Sequence, residues 1–166
     1  MGYPCLFECE WVKGTPTKGR RVAIDNDNKW DNYEGQFDVR LLRTGTGRCE
    51  HEDGFTYQGE WKDDGMNGQG KHTWSDGAIY EGQWQEYKRH GQGNFTRSDG
   101  QTYEGQWQDD EANGEGKWTF TDGTYEVGKW KDGKQIGVQQ YFSKQGKHIE
   151  NRTYEDEVLI KTEKII

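Results

Sequence analysis

Aliphatic side chains are scarce in this sequence of 166 residues. Leu, Ile, Val and Phe together number 23, and 31% of the residues are charged. Such a composition ordinarily indicates disorder. Eight Trp and nine Tyr argue against disorder, because large rings at regular positions can bury the apolar surface that aliphatic side chains do not supply. We therefore expect an ordered but thin protein without a globular core.

Positive charge is also in short supply. The chain has 22 Lys and Arg against 30 Asp and Glu, which gives a formal net charge of −8 at pH 7 and a pI near 5.1. Phosphate binding relies on clustered Lys and Arg, so this balance argues against a nucleic-acid partner. It argues less firmly against anionic lipid, because a local basic patch can survive in an acidic protein.

Long apolar runs are absent. No stretch is long and apolar enough to span a bilayer, and the N-terminus lacks the apolar run of a signal peptide. The cysteines are only Cys5, Cys9 and Cys49, an odd number. Reduced thiols in the cytosol are the simplest interpretation, so we expect a cytoplasmic location.

Catalytic motifs are missing as well. The sequence contains no G-x-S-x-G, no G-x-x-x-x-G-K-[ST] and no G-x-G-x-x-G that opens a helix. Its many Gly-x-Gly pairs lie in predicted strands. We predict a protein that is not an enzyme, with no cofactor, no metal and no small-molecule substrate.

One five-residue phrase, Tyr-Glu-Gly-Gln-Trp, recurs along the chain. It stands unchanged at Tyr80–Trp84 and Tyr103–Trp107, and in close variants at Tyr33–Phe37 and Tyr57–Trp61. In chain order, the steps between the tyrosines are 24, 23 and 23 residues. A spacing this constant indicates one structural unit that is stacked repeatedly.

Each unit also contains a Gly-x-Gly phrase and then an Asp-Gly pair. The aromatic, Gly and aromatic residues of the first phrase lie at i, i+2 and i+4, on one face of a strand, with Glu and Gln on the other. Each unit is therefore predicted to be a strand, a loop, a second strand and an Asp-Gly turn, since Asp-Gly tolerates positive φ. The predicted loops are Lys62–Asn67, Gln85–His90 and Gln108–Asn113.

Glycine in the middle of a strand normally weakens a sheet, so its regular placement needs a reason. We expect the bare backbone to leave room for a Tyr or Trp ring from a neighbouring strand. The predicted core is aromatic rings on glycine.

The repeated phrase, with Gly-x-Gly and Asp-Gly at a 23-residue step, resembles the MORN (membrane occupation and recognition nexus) repeat. The resemblance is strong over about residues 33–124 and weaker at both ends. We predict an all-β fold, a single-layer twisted antiparallel meander of stacked β-hairpins with about ten to twelve strands. The resemblance implies a stand-alone repeat module without a catalytic domain.

Three segments are predicted along the chain. Residues 1–32 read as a degenerate N-terminal capping repeat, residues 33–146 as five repeat units, and residues 147–166 as a degenerate C-terminal cap or docking tail. In the fifth unit the first phrase carries one extra residue, for which we predict a β-bulge near Val127.

Cys49, His51 and His72 are an alternative source of chemistry, as a metal or redox site. Cys49 and His72 occupy the same position in successive repeats, on equivalent strands with one strand between them. That separation is roughly 10 Å, too far to share a zinc ion. We therefore interpret both as fillers of the position that Phe95 and Trp118 hold elsewhere.

The resemblance implies a structural or targeting role. MORN-repeat proteins serve as scaffolds in cilia and flagella, including radial spoke heads, as cytoskeletal organisers, as membrane-contact tethers and as regulatory segments beside lipid kinases and a lysine methyltransferase. We expect a non-catalytic scaffold or tether subunit of a multi-subunit protein assembly, in the axoneme of a cilium or flagellum or in the cytoskeleton. The alternative is a peripheral membrane adaptor that binds anionic lipid through a basic loop, helped by acylation at Gly2 or Cys5.

Two apolar segments are candidate partner contacts. The connection Asp38–Thr44 is more apolar than its counterparts, so Leu41 and Leu42 either meet a partner or fold back over the sheet. Ile165 and Ile166 end the most aliphatic segment, which either caps the sheet or docks on a partner.

A third candidate contact is the one basic aromatic loop, formed by Tyr87, Lys88, Arg89 and His90. It either meets a carboxylate or phosphate group or is simply solvated.

Overall fold

The computed structural model describes residues 5–24, 27–155 and 157–165. The described residues form fourteen β-strands, and none of them lies in a helix that could cross a membrane. They divide into two compact units, Met1–Tyr87 and Lys88–Ile166. The all-β prediction is confirmed. The strands outnumber the predicted ten to twelve, because the degenerate segments at both ends also form strands.

The first unit is a meander of seven strands in a single layer. Each strand pairs antiparallel with the next one along the chain. The strands are β1 (Cys5–Val12), β2 (Thr15–Ile24), β3 (Trp30–Phe37), β4 (Arg43–His51), β5 (Thr56–Lys62), β6 (Gly65–Thr73) and β7 (Ile79–Gln85).

The second unit repeats this arrangement. Its strands also pair antiparallel in chain order. They are β8 (Lys88–Thr96), β9 (Thr102–Gln108), β10 (Glu111–Thr119), β11 (Tyr125–Lys131), β12 (Lys134–Phe142), β13 (His148–Glu155) and β14 (Val158–Lys164). Within each unit the predicted antiparallel meander is confirmed.

The longer loops predicted inside the repeats are wrong. Two-residue turns close these hairpins: Asp63–Asp64 joins β5 to β6, and Asp109–Asp110 joins β9 to β10. All four aspartates have φ between 48° and 74°, the sign that both central residues of a type I′ turn require. The extra length belongs to the following strand, where Gly68, with a φ of 63°, lies at a shift of register.

The predicted Asp-Gly turns are confirmed. The glycines of the four Asp-Gly pairs have φ between 85° and 88°, and each backbone N–H donates to the carbonyl oxygen three residues earlier. The Asp side chain fastens the turn, as at Asp76, whose Oδ1 accepts the N–H of Ala78 at 2.9 Å.

Aromatic rings on glycine form the buried face of the repeats, as predicted. The repeated tyrosines are at most 1% exposed: Tyr33, Tyr57, Tyr80 and Tyr103. The rings of Tyr33, Tyr57 and Tyr103 each cover one glycine of their own strand and one glycine of the next strand. A Cβ built on Gly59 would stand 2.6 Å from Tyr57 Oη, and one on Gly70 would stand 2.3 Å from it. A side chain at either position would displace the ring.

Hydrogen bonds and edge-to-face contacts hold each tyrosine in place. Tyr57 Oη donates to the carbonyl oxygen of Glu60 at 2.9 Å, and Trp61 Nε1 donates to that of Gly47 at 3.1 Å. The ring centroid of Tyr57 lies 5.0 Å from that of Trp61 in its own repeat and 5.6 Å from that of Trp84 in the next. The same contacts recur in other repeats, so neighbouring repeats pack on each other within each unit.

The buried tyrosines make stability depend on alkaline pH. Burial raises the pKa of Tyr33 and of Tyr103 from 10.0 to about 12 and raises the pKa of Tyr57 as well. Because these folded-state pKa values exceed the unfolded ones, the stabilisation is complete below pH 10 and is lost as the pH rises through 12. We predict that the free energy of unfolding, measured by urea titration, falls between these pH values. The fall should be shallower in Tyr57→Phe, and an equally steep fall in that variant would contradict the assignment.

The shift of register predicted near Val127 is present between Val127 and Lys129, but no extra residue causes it. The same shift occurs in other hairpins, opposite their Gly-x-Gly phrases. Glu126 follows Tyr103 by 23 residues, so Glu126 rather than Tyr125 takes the position of the repeated tyrosine. It is only 1% exposed.

Gln139 fills the space that a tyrosine ring occupies in other repeats. It takes the position of the second glycine of the Gly-x-Gly phrase and is fully buried. Its Oε1 lies 2.1 Å from where a Cβ on Gly128 would stand. Its Nε2 donates to the carbonyl oxygen of Lys129 at 2.8 Å. Lys129 follows Glu126 by three residues, and in other repeats the tyrosine hydroxyl donates to the carbonyl oxygen at this same distance along the chain, as Tyr57 does to Glu60. Gln139 therefore replaces both the ring and its hydrogen bond.

The carboxylate of Glu126 is paired with a guanidinium from β13. Arg152 Nη1 lies 2.6 Å from Glu126 Oε1, and its Nε lies 2.7 Å from Glu150 Oε1. Gln135 Nε2 donates to the other oxygen of Glu126 at 2.6 Å. Burial lowers the pKa of Arg152, but its hydrogen bonds to Glu150 and Glu126 raise the pKa more, so it lies above its ordinary value. This network ties β13 to the fifth repeat.

Candidate functional site

The predicted contact at Leu41 and Leu42 lies in the turn between β3 and β4. Leu41 is exposed at a φ of 64°, whereas Leu42 is half-buried. Asp38 Oδ1 accepts the backbone N–H groups of Arg40 and Leu42, each at 2.9 Å, and the bond from Leu42 holds the pKa of Asp38 below its usual value. The turn is therefore ordered and presents one leucine, and a partner contact here stays a prediction.

The loop predicted at Gln85–His90 is wrong, whereas a partner contact at Tyr87, Lys88, Arg89 and His90 stays a prediction. Tyr87 alone lies in the two-residue turn, and β8 begins with Lys88, Arg89 and His90. Lys88 Nζ lies 3.4 Å from a carboxylate oxygen of Asp109 in the next hairpin. The basic residues are thus held on a strand beside acidic partners, because the turn needs only two residues.

Arg89 makes two contacts, with an aspartate and with a tryptophan ring, that Arg43 makes in another repeat. Arg89 Nε donates to Asp110 Oδ1 at 3.2 Å, and its guanidinium lies 4.4 Å from the ring centroid of Trp107. Arg43 lies 46 residues earlier, two repeats away, and it makes the same contacts in its own unit. Its Nε donates to Asp64 at 3.2 Å, and its guanidinium lies 4.2 Å from the ring centroid of Trp61. Arg89 therefore has a role in the fold.

The aliphatic C-terminal segment presents its side chains to solvent. Ile165 is 45% exposed, and its N–H donates to the carbonyl oxygen of Ile149 at 2.9 Å. Val158, Leu159 and Ile160 are exposed as well. Ile166 and Gly2 lie outside the described residues. The segment adds a strand to the sheet without burying its apolar groups, and docking on a partner stays a prediction.

Cys49, His51 and His72 serve packing in the structure. Tyr57 pairs with Cys49 on one side and with His72 on the other, so a full strand separates them, and the described residues contain no cluster of metal-ligating side chains. Burial raises the pKa of the Cys49 thiol to about 12. A thiol that stays protonated at neutral pH is a poor nucleophile.

A row of glycines crosses the first unit at matching positions of successive strands. Its cross-strand pairs are Gly19 with Gly35, Gly35 with Gly47, Gly47 with Gly59, Gly59 with Gly70, and Gly70 with Gly82. On the face opposite the rings, part of this row floors a groove of about 800 Å³. We call this groove the glycine trough, with a floor made of Gly35, Gly47, Gly59 and Gly70.

Charged, amide and hydroxyl side chains form the walls of the glycine trough. One wall crosses five successive strands and consists of Glu34, Arg48, Gln58, Lys71 and Glu81. The other wall consists of Lys18, Thr46, Glu60 and Gln69. Both walls mix hydrogen-bond donors with acceptors and positive with negative charges. The trough therefore has polar walls, whose side chains differ from strand to strand, on either side of exposed strand backbone.

The fourth residue of the repeated phrase has a structural task that sequence reasoning missed. Glu60 Oε1 accepts the backbone N–H of Gln69 at 3.0 Å, and Gln36 Oε1 accepts that of Thr46 at 2.8 Å. These N–H groups lie between the two glycines of the Gly-x-Gly phrase, where the ladder is interrupted. The recurrence of Gln or Glu at this one position is the signal that could have found the bond.

Comparison with known proteins identifies the repeat. A family model of the MORN repeat matches residues 57–79, 80–102 and 103–125. A search of curated protein sequences finds no match. Among solved structures, the chain is similar to the SAS-4 (dCPAP) TCP domain of Drosophila melanogaster in complex with a proline-rich motif of Ana2 (dSTIL), at 14% sequence identity and a TM-score of 0.46, over 92% of this chain and 90% of that chain.

The family match agrees with the tyrosine positions of the fold. The matched units begin at Tyr57, Tyr80 and Tyr103, the buried tyrosines of three successive repeats. The MORN repeat is a non-catalytic module of protein interaction or membrane association. The chain contains three consecutive MORN repeats, at residues 57–125.

Proposed function

We propose that this protein is a non-catalytic scaffold or tether subunit of a larger protein assembly. The glycine trough carries the proposal. It runs across successive strands, is open along one face and combines a floor of bare backbone with polar walls. We propose that it holds an extended segment of a partner protein.

The trough suits a polypeptide better than a nucleic acid or a small molecule. The strand backbones are exposed between the two rows of side chains, and the walls offer hydrogen-bond donors, acceptors and charges of both signs to a polypeptide. The net charge of −8 opposes a polyanion. Small-molecule sites are mostly apolar and enclosed, whereas this groove is open and lined by polar groups.

We propose a cytoplasmic location at the cilium or flagellum, within the axoneme, or in the cytoskeleton. Support comes from the resemblance of the repeats to those of ciliary and cytoskeletal scaffolds, which is an argument from family. The observation that Lys88 and Arg89 lie beside Asp109 and Asp110 favours protein over lipid as the partner, because paired charges attract anionic headgroups less.

Detergent fractionation of the source cells, followed by crosslinking mass spectrometry, tests this proposal. We expect the protein in the detergent-insoluble skeleton, with crosslinks from trough residues such as Lys18 and Lys71 to axonemal or cytoskeletal proteins. Release by mild detergent together with membrane markers would favour the membrane adaptor instead. Release as a lone soluble chain would contradict both.

A paired charge reversal tests the trough itself. Arg48→Glu with Lys71→Glu reverses two positive groups of one wall, both exposed, and we expect at least about a tenfold loss of the partner protein that co-purifies with the chain. Lys62→Glu is the matched control, since Lys62 is exposed in the same unit but outside the trough. An equal loss in the control, or no loss in the double variant, would place the contact elsewhere.

A further inference from the structure

Strand β14 leaves one side of the second unit's sheet open. It pairs with β13 on one side, and no described strand of this unit pairs with its other side. The N–H of Ile165 donates to the carbonyl oxygen of Ile149. Because backbone groups of alternate residues point to opposite sides of a strand, the N–H and C=O groups of Thr162 and Lys164 point away from β13. They are available to another strand.

This edge has only one of the features that usually protect a sheet edge, the charged side chains of Lys161, Glu163 and Lys164. Charged side chains, prolines and short lengths normally discourage pairing with another chain. Here seven residues are exposed along β14, and aliphatic groups flank its charged centre: Leu159 is 48% exposed, Ile160 51% and Ile165 45%. Such an edge favours strand addition.

The sequence of β14 is complementary to itself in one antiparallel register. When two copies pair with Thr162 opposite Thr162, Lys161 of each copy stands opposite Glu163 of the other, and Leu159 stands opposite Ile165. This register uses the outward backbone groups of Thr162 in its central hydrogen bonds. Cross-strand pairs of opposite charge and of apolar side chains stabilise antiparallel strands.

Neighbouring registers lose this complementarity. Centring the pair on Lys161 instead would set the two Lys161 ammonium groups opposite each other and Leu159 opposite Glu163. Within one chain Lys161 Nζ already lies 2.8 Å from Glu163 Oε1, which shows that both side chains reach the same side of the strand. Two copies would therefore join four charges of alternating sign.

We propose that β14 pairs with β14 of a second copy, in the register centred on Thr162, to form a two-fold symmetric dimer. The pairing continues the sheet of one second unit into that of the other. It gives a scaffold two copies of every binding surface, related by a two-fold axis. This proposal is independent of what the glycine trough binds.

Sedimentation equilibrium of the full chain over a range of concentrations tests the proposal. The wild type should shift from its monomer mass of 19.4 kDa to twice that mass. Thr162→Pro removes the central outward N–H but no bond to β13, and it should weaken dimerisation at least tenfold. Thr162→Val keeps that N–H and should retain the dimer. A wild type that stays monomeric up to about 1 mM, or a dimer that Thr162→Pro leaves intact, would overturn the proposal.

A mixing experiment separates contacts between copies from contacts within one chain. Lys161→Glu and Glu163→Lys each break the internal ion pair and set like charges opposite each other in a homodimer, so each variant alone should dimerise at least tenfold more weakly. An equimolar mixture sets opposite charges at both facing positions and should form the heterodimer. Failure of the mixture to associate better than either variant alone would overturn the register.

Discussion

Replacing Gly70 with alanine should lower the free energy of unfolding by about 3 kcal/mol. A Cβ at this position would stand 2.3 Å from Tyr57 Oη and 2.5 Å from its Cζ. The Tyr57 ring would have to move away from Gly70. It would then lose its hydrogen bond to Glu60 and its edge-to-face contacts with Trp61 and Trp84. Urea unfolding followed by tryptophan fluorescence measures the loss.

Two companion variants separate the clash from general effects of losing a glycine. Gly77→Ala introduces the same methyl group at a φ of 88° with no atom within 4 Å, so backbone strain alone should cost about 1–2 kcal/mol. In a Tyr57→Ala background the ring is gone, and Gly70→Ala should then cost much less than in the wild type. Additive losses in that double variant would show that ring and methyl group do not compete for one space.

The sequence predicts the repeat unit well because one physical constraint recurs in it. A tyrosine, a glycine two residues later and a ring two residues after that must share a strand face, and the bare glycine must lie under the ring. Those relations are local, so Tyr57 and Gly59 reveal them without any knowledge of the sheet. The step of 23 residues then repeats the solution.

Turn lengths were harder to predict because two features compensate within the same six residues. Six residues separate the Tyr-x-Gly-x-Trp phrase from the Gly-x-Gly phrase, more than a two-residue turn such as Asp63–Asp64 needs. A shift of register at Gly68 accommodates the other residues within the second strand. The error in turn length also places Arg89 in a predicted loop, although it lies on β8. The spacing of two repeats between Arg43 and Arg89 can be read from the sequence. Their shared contact with an aspartate of the next hairpin cannot, because that contact forms only when the turn has two residues.

The glycine trough could not be derived from the sequence because it depends on cross-strand register. That Gly47 lies beside Gly59 in β5, rather than one residue away, decides whether the floor is continuous. In the fifth repeat, the positions of the core residues can be predicted from the sequence, but one of their partners cannot. Counting 23 residues places Glu126 and Gln139 in core positions, yet the counter-charge Arg152 comes from β13, outside the legible repeat.

Replacing Arg152 with methionine should lower the free energy of unfolding by about 3–5 kcal/mol at pH 7. Glu126 is 1% exposed, and the guanidinium 2.6 Å away is its counter-charge. Methionine keeps much of the side-chain volume over the Tyr141 ring, whose centroid lies 3.7 Å from the guanidinium. It leaves the carboxylate of Glu126 buried with neutral partners alone, the amide of Gln135 and the hydroxyl of Tyr154. Denaturant unfolding of the full chain measures the effect.

Lys129→Met is the matched control for this loss of charge. Lys129 pairs with Glu115 at 3.7 Å on the exposed face of the same unit, where an ion pair contributes less than about 1 kcal/mol. Comparable losses in the two variants would show that burial of Glu126 does not set the cost.

A compensated variant tests why the fifth repeat departs from the others. Glu126→Tyr restores the repeated tyrosine, and Gln139→Gly empties the seat above Gly128 that a ring needs. Combined with Arg152→Met, these changes remove the buried charge together with its partner, and they should recover most of the stability that Arg152→Met loses alone. Glu126→Tyr without Gln139→Gly should recover little, because the ring and Gln139 would occupy the same space. That difference follows only if Glu126, Gln139 and Arg152 together substitute for one tyrosine on glycine.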